Sequence, residues 1–268
     1  MKPIIKWAGG KGGNLSYIRE LLPENFNTYY EPFAGGLAVL LDLSPTNFTI
    51  NDINSELINV YTQIRDNVED VIKCLTKLDE QHEAAWLNPK EYFYKTRLSF
   101  NKHLGVKSAD QAARFIYLNK HCFNGLYRVN SKGEFNVPFN GKLSGRSFDP
   151  DQLRELSGML KNANILNTDF EVACENASEG DFVFFDSPYY NTFDTYQADG
   201  FSEGDHKRLA KLFKELTAKG VKCMLTNSNE EFIKDLYKDF NIKIIPVKRN
   251  INRDGTHRTG EEIIVTNY

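Results

Sequence analysis

Four consecutive residues, Asp186-Ser187-Pro188-Tyr189, carry the clearest chemical capacity in this chain. They follow Asp181-Phe182-Val183-Phe184-Phe185, a nearly unbroken apolar run of the kind that buried parallel strands show. An acid at the carboxyl end of such a strand stands where open α/β sheets receive their ligands. Pro188 stiffens the turn, so the Asp186 carboxylate and the Ser187 carbonyl are held at a fixed separation, two acceptors facing one point. That pair suits an amino group with two N–H donors, and Tyr189 offers a face for a flat ring. An amine conjugated with a ring is a poor nucleophile, because its lone pair is delocalised. Two acceptors draw its hydrogens out of plane and free the lone pair for in-line attack on a sulfonium methyl. With an unperturbed pKa of roughly 3.9, Asp186 reads as acceptor and orienter rather than strong base. Such a transfer needs no metal, and the sequence offers no ligand cluster. The five histidines (His82, His103, His121, His206, His257) are scattered and read as structural or exposed.

Two further groups are weaker alone. Gly35-Gly36 sits where a strand passes into a helix, and glycines there let backbone N–H groups approach a ligand closely. The spacing is not that of a dinucleotide fingerprint. Asp52 ends the next strand and is placed to accept hydrogen bonds from ribose hydroxyls. Lys6-Trp7-Ala8-Gly9-Gly10-Lys11 reads either as a clasp over a ligand or as an anchored segment whose Trp fills core.

The elements that must position these residues fall into two α/β blocks. In the first, Tyr29-Tyr30-Glu31 leads through Gly35-Gly36 to an apolar helical run, Leu37 to Leu43. Strand Phe48-Thr49-Ile50 then reaches Asn51-Asp52, followed by helix from about Ser55 to Arg65. This is the start of a doubly wound sheet. The second block resumes near Ala163 with strand Asn164-Ile165-Leu166 and the apolar strand before Asp186. Helix Glu203 to Lys219, strand Val221 to Thr226, helix Glu230 to Lys238, and strands Ile242 to Val247 and Glu262 to Asn267 complete it. The middle is helical in pattern, Glu91 to His103 and Ala109 to Lys120. It closes in a hairpin, Leu126 to Asn130 with Glu134 to Val137, turning at Ser131-Lys132-Gly133. The expected fold is therefore α/β: a Rossmann-like sheet over 1–67 and 158–268, with a helical and β-hairpin recognition subdomain inserted at 68–157.

Composition is that of a soluble globular protein: 268 residues, 41% apolar and 26% charged, with no apolar run of the roughly 20 residues a membrane helix needs. The N-terminus lacks an apolar export signal, and the four cysteines (Cys74, Cys122, Cys174, Cys223) form no CxxC pair, so reduced thiols in a cytoplasm are expected. A net charge of −3 excludes a uniformly basic surface, yet basic residues cluster locally. Lys120, Arg128, Lys132, Lys142 and Arg146 stand against Glu134 alone, and Lys248, Arg249, Arg253 and Arg258 against Asp254. Such clusters fit either a solvated surface or a polyanion site.

Taken together, Trp7-Ala8-Gly9-Gly10-Lys11, Glu31-Pro32-Phe33-Ala34-Gly35-Gly36, Asn51-Asp52-Ile53-Asn54 and Asp186-Ser187-Pro188-Tyr189 resemble, in order, the motifs of the Dam-type (alpha-class) DNA adenine methyltransferases. Asn124-Gly125-Leu126-Tyr127-Arg128-Val129-Asn130 and Gly133 through Phe139 resemble that family's target-recognition hairpin. The resemblance implies S-adenosylmethionine (SAM) as methyl donor and double-stranded DNA as partner, with the target adenine flipped out of the stack. It implies donor contacts from Trp7, Lys11, Asp52 and Asp186, a pocket lined by Phe33, Gly35 and Gly36, and an acid–aromatic pair, Asp169-Phe170, flanking the donor's adenine. Tyr189 would stack on the flipped base. Arg128 corresponds to a guanine-reading arginine. Leu126 and Pro138 correspond to apolar base contacts, Phe123 and Asn124 to residues that wedge into the duplex, and Lys6 to a lysine on the first base pair; Asn130 belongs to the same hairpin.

The implied target is GATC or a close relative, with no metal, no membrane partner and a monomer as the expected state. Two departures stand out. The family's usual tetrad is Asp-Pro-Pro-Tyr, so Ser187 removes one φ constraint, which implies retained activity with looser positioning. Pro138-Phe139-Asn140-Gly141-Lys142 also differs from the common Pro-Phe-Gly-Arg-Tyr, leaving the outer bases open. The acceptor pair suits the amino group of cytosine as well, and a catalytically silent, sequence-specific DNA-binding protein is the remaining alternative.

Overall fold

The computed structural model describes residues 1–142, 145–190, 200–248 and 259–268. Seven strands form one sheet: β1 (Tyr29–Glu31), β2 (Phe48–Asn51), β3 (Ala163–Leu166), β4 (Phe182–Phe185), β5 (Lys222–Ser228), β6 (Asn241–Lys248) and β7 (Thr259–Thr266). Their spatial order is β3-β2-β1-β4-β5-β7-β6. The first five run parallel, whereas β7 lies antiparallel between β5 and β6. This is the expected α/β class.

Strand alternation divides the interior into two cores. Tyr29 of β1 and Phe182 and Phe184 of β4 face one side; Tyr30, Val183 and Phe185 face the other. The first core is roofed by α2 (Ala38–Leu43), α3 (Ser55–Ala84), α5 (Ala109–His121) and α6 (Pro150–Leu160). The second is covered by α8 (Glu203–Ala218) and α9 (Glu231–Leu236), with Phe170 of the short α7 (Phe170–Ala173). All four β4 side chains are fully buried, each stabilising the fold by about 1.5–3 kcal/mol of transfer free energy. Because the chain leaves β1 toward one face and β4 toward the other, the crevice between them is the topological switch point.

The remaining helices are α1 (Leu15–Glu20) and α4 (Pro89–Lys102). Side-chain caps start the long ones: Asn54 accepts from Glu56 and Leu57 N–H at 3.1 Å each, Ser108 caps α5, and Asp149 caps α6 ahead of Pro150. Helix α3 runs well beyond the expected end near Arg65. It bends at Asn67, whose φ of −137° and ψ of 41° leave the helical region, and then continues to Ala84. The polar Arg65-Asp66-Asn67 break marks the bend and not the end.

The expected hairpin is present in reduced form. Asn130 N–H donates to the Glu134 carbonyl at 2.9 Å and Asn136 N–H to the Arg128 carbonyl at 3.0 Å, around the single bridge Val129–Phe135. On the outer edge of the second strand, α4 takes the backbone groups that face away from the ladder. Asn101 exchanges two hydrogen bonds with Phe135, and Arg97 donates to the Val137 carbonyl at 3.2 Å.

Candidate active site

A cavity of about 1220 Å³ opens at the carboxyl ends of β1, β2, β3 and β4. Its wall is completed by Trp7 to Lys11 and by Tyr127, Val129 and Gly133 of the hairpin region. Trp7 joins the two halves: its ring stacks on Tyr127 at 5.6 Å and presses against Gly35. Gly35 has a φ of +45°, and a Cβ there would lie 2.8 Å from Trp7 Cδ1, so only glycine fits. The nearby segment is anchored, since Lys6 N–H donates to Asn119 Oδ1 at 2.9 Å and the Asn119 amide returns to the Lys6 carbonyl at 2.8 Å.

At the centre of the cavity, Asp186 Oδ1 lies 2.6 Å from Lys11 Nζ and accepts from Thr226 Oγ1 at 2.9 Å. The buried Lys11 ammonium also donates to the Gly9 carbonyl at 2.6 Å and sits 4.7 Å above the Tyr189 ring. A donor cation therefore rests against the acid and over the aromatic face, in the position that suits an amino group on a flat ring. Burial pushes the Asp186 pKa above the usual carboxylate range, opposed by Lys11 and the Thr226 hydroxyl. Tyr189 donates to Glu262 Oε2 at 2.8 Å, which also receives the Asn14 amide at 2.8 Å. Burial and the charges of Asp186 and Glu262 keep the Tyr189 phenol protonated.

Asp52 receives two backbone N–H groups, Gly35 at 3.0 Å and Asn54 at 2.9 Å. Burial raises its pKa, opposed by those bonds. The Gly35 carbonyl accepts from Tyr61 Oη at 2.5 Å, so both sides of the glycine turn are tied down. Farther along, Phe33 lies 5.4 Å from Phe170 and 5.9 Å from Phe201, forming an aromatic cluster on the cavity wall. Asp169 caps α7 beside it and pairs with Arg208 at 2.8 Å. The structure thus brings Trp7, Lys11, Phe33, Gly35, Gly36, Asp52, Asp169, Phe170, Asp186, Ser187, Pro188 and Tyr189 around one cavity.

The residues expected to meet DNA lie outside it. Lys6, Phe123, Asn124, Arg128 and Pro138 are exposed, and Leu126 is half-buried. They are contiguous: Phe123 N–H donates to the Pro138 carbonyl at 2.8 Å, and Gly125 abuts the Lys6 side chain. Arg128 Nε donates to Asn136 Oδ1 at 2.6 Å, which holds the guanidinium on the hairpin surface. The Asn130 side chain is engaged in the turn itself, accepting from Lys132 and Glu134 N–H and donating to Glu134 Oε2 at 2.9 Å. Lys120, Lys132, Lys142 and Arg146 are exposed nearby. Residues 249–258, with the second basic cluster's three arginines, lie outside the described residues.

Sequence reasoning passed over Glu31, Thr226, Asn227, Arg208 and Glu262. Only Glu31 carried a signal, an acid closing a buried strand, the same mark that singled out Asp186. Glu31 accepts from Tyr29 Oη at 2.9 Å and Leu40 N–H at 3.2 Å, and burial pushes its pKa up to about 8. Elsewhere His121 is buried and held neutral, its pKa pushed down to about 3 by burial, and His206 similarly to about 4. All four cysteines are free thiols. Among the described residues there is no group of three His, Cys, Asp or Glu side chains able to hold a metal, and no helix long and apolar enough to cross a membrane.

A switch-point cavity, an Asp-Ser-Pro-Tyr turn and an outlying hairpin with exposed basic residues fit a group-transfer enzyme acting on a planar amine within a polyanion. Residues 7–251 match the family described as D12 class N6 adenine-specific DNA methyltransferase, and the chain belongs to that family. It is 42% identical to "Type II methyltransferase M1.LlaDCHI" of Lactococcus lactis subsp. cremoris, across the whole of this chain and 96% of that protein. With "Type II methyltransferase M.MjaIII" of Methanocaldococcus jannaschii it shares 41% identity, over the whole chain and 99% of the relative. The "DNA adenine methylase" of Haemophilus influenzae is 31% identical over 96% of this chain and 90% of its own length. The chain is thus an adenine-specific DNA methyltransferase, and the alternatives of cytosine methylation and silent DNA binding fall away.

Proposed function

We propose that the chain methylates N6 of adenine in duplex DNA, within GATC or a close relative, using SAM and a flipped-out base. The observation that carries this reading is the Lys11–Asp186–Tyr189 arrangement, an acid beside an aromatic face at the switch point, already engaging a nitrogen donor. In this reading residues 1–67 and 158–268 perform the transfer and 68–157 read the target.

The cavity fits SAM at three places. Asp52, backed by the Gly35 and Asn54 N–H groups, offers its carboxylate to ribose hydroxyls. The Phe33–Phe170–Phe201 cluster offers an apolar surface to a purine ring, with Asp169 beside it for the amino group. Lys11 supplies a cation for the donor's carboxylate. Bound SAM supplies an electrophilic methyl on its sulfonium. The chain's own residues do the rest. Tyr189 stacks on the extruded adenine, while Asp186 and the Ser187 carbonyl accept hydrogen bonds from its two amino hydrogens and turn the lone pair toward the methyl. As the N6–CH3 bond would form, the S–CH3 bond would break with its electron pair leaving on the thioether, and one amino proton would pass to water by way of Asp186. Lys11 must leave Asp186 Oδ1 as the amine arrives. An Asp186 carboxylate more basic than usual grips that N–H more strongly.

On the DNA side, Arg128 reads a guanine from the major groove, Leu126 and Pro138 touch bases, Lys6 meets the first base pair, and Phe123 and Asn124 fill the gap. Incubating the protein with labelled SAM and a random-sequence duplex library, then digesting to nucleosides and mapping the modified positions, tests this reading. It expects label in N6-methyladenine within GATC-like sites. Label spread over adenines without sequence preference would contradict the readout.

A further inference from the structure

Three consecutive residues of β5 hold the catalytic turn: Thr226 bonds Asp186, Asn227 bonds Ser187, and Ser228 reaches the Tyr190 carbonyl at 2.9 Å. Asn227 is the centre of this clamp and is 1% exposed. Its amide Nδ2 donates to Ser187 Oγ at 3.3 Å. Its Oδ1 accepts from Tyr190 N–H at 3.1 Å and from Ser228 N–H at 2.8 Å. One side chain thus grips the tetrad turn near both ends, at a side chain before Pro188 and at a backbone amide after Tyr189. Ser187 is itself only 2% exposed.

We propose that Asn227 is a positioning residue for methyl transfer, and that its pairing with Ser187 supplies the constraint a proline ring would supply at position 187. This rests on the proposed function, in which the Ser187 carbonyl is one of two amine acceptors. Where that carbonyl points depends on the Ser187 backbone. Pro188 already disfavours the helical region for the residue before it, but leaves φ at 187 free to swing. A buried hydroxyl tied to a buried amide removes that freedom, because unpairing either group leaves it without water to replace the partner. The looser turn that Ser187 implies from sequence is therefore tightened from β5.

The test measures single-turnover methyl transfer at saturating SAM and DNA, with separate titrations for SAM and DNA affinity. Asn227→Ala is expected to slow transfer about tenfold while both affinities stay within about twofold, since misplacing a reacting group acts on rate and not on donor binding. Adding Ser187→Pro to Asn227→Ala is expected to restore most of the lost rate. A merely structural role predicts no such rescue. A wild-type rate in Asn227→Ala, or no rescue by the proline, overturns the inference. Should Asn227→Ala fail to fold, Ser187→Ala decides: a slowed transfer with SAM affinity kept supports the pairing, and an unchanged rate overturns it. A wild-type protein that methylates no adenine overturns the proposed function together with this inference. An active wild type with unaffected variants overturns this inference alone.

Discussion

Asp186 and Glu31 each close an apolar strand beside the switch point, yet their surroundings assign them different work. Asp186 meets a cation and a hydroxyl at its oxygen, and stays open to the cavity. Glu31 is buried, with a phenol and one backbone N–H as its partners and burial holding its pKa at about 8. The sign of the linkage follows. The folded state binds the Glu31 proton more tightly than the unfolded chain, whose value is near 4.5, so stability falls as pH rises from about 4.5 to about 8. Glu31→Gln keeps an acceptor for both partners without the charge. Thermal denaturation across that range should show the wild type losing stability relative to the variant as pH rises, and parallel curves would contradict the assignment. At the hairpin, Arg128→Ala should cost about 1–3 kcal/mol of discrimination at one base position. Methylation of duplexes varied at each base of the site checks this, and an unchanged preference would argue against readout by Arg128.

Between the elements, the decisive contacts run from the N-terminal segment to the hairpin. Gly125 has a φ of +67°, and a Cβ there would sit 2.6 Å from the Lys6 side chain. Gly125→Ala therefore strains the backbone by about 1–2 kcal/mol and pushes Lys6 aside. DNA affinity should fall while SAM affinity holds, as titrations with each ligand would show; equal loss of both would point to general unfolding. Much at this scale was legible in the sequence. Strand β4 announced itself by four consecutive apolar residues, and the helical spacing of Leu57, Ile58 and Tyr61 marked the start of α3. The far end of α3 was not legible, because a bend and a terminus leave the same polar signature at Arg65-Asp66-Asn67. The docking of the hairpin's outer edge on α4 was not legible either, since it depends on Asn101 and Arg97 reaching across from a helix distant in sequence.

For the whole molecule, Asp52 and Asp186 were readable because each is an acid at a strand end, whereas Trp7 and Lys11 were readable only through the resemblance. Asn227, Arg208 and Glu262 were not readable, because ordinary polar residues gain a role only when β5, α8 and β7 are folded against the tetrad and the aromatic cluster. The negative total charge hides local basic residues, of which Lys6, Lys120, Arg128, Lys132, Lys142 and Arg146 are all exposed. If Lys120, Lys132, Lys142 and Arg146 meet phosphates, DNA affinity should weaken on the order of 10²-fold between roughly 50 and 200 mM salt. Binding titrations in that range check this, and salt-insensitive affinity would place the duplex elsewhere. The role proposed for Asp186 is to orient the target amine at a cavity that also holds the methyl donor. Its most direct test is single-turnover transfer of labelled methyl to duplex DNA by wild type and Asp186→Ala, with SAM binding measured alongside. N6-methyladenine is expected from the wild type and none from the variant, which keeps part of its SAM binding; transfer by Asp186→Ala at the wild-type rate would contradict that role.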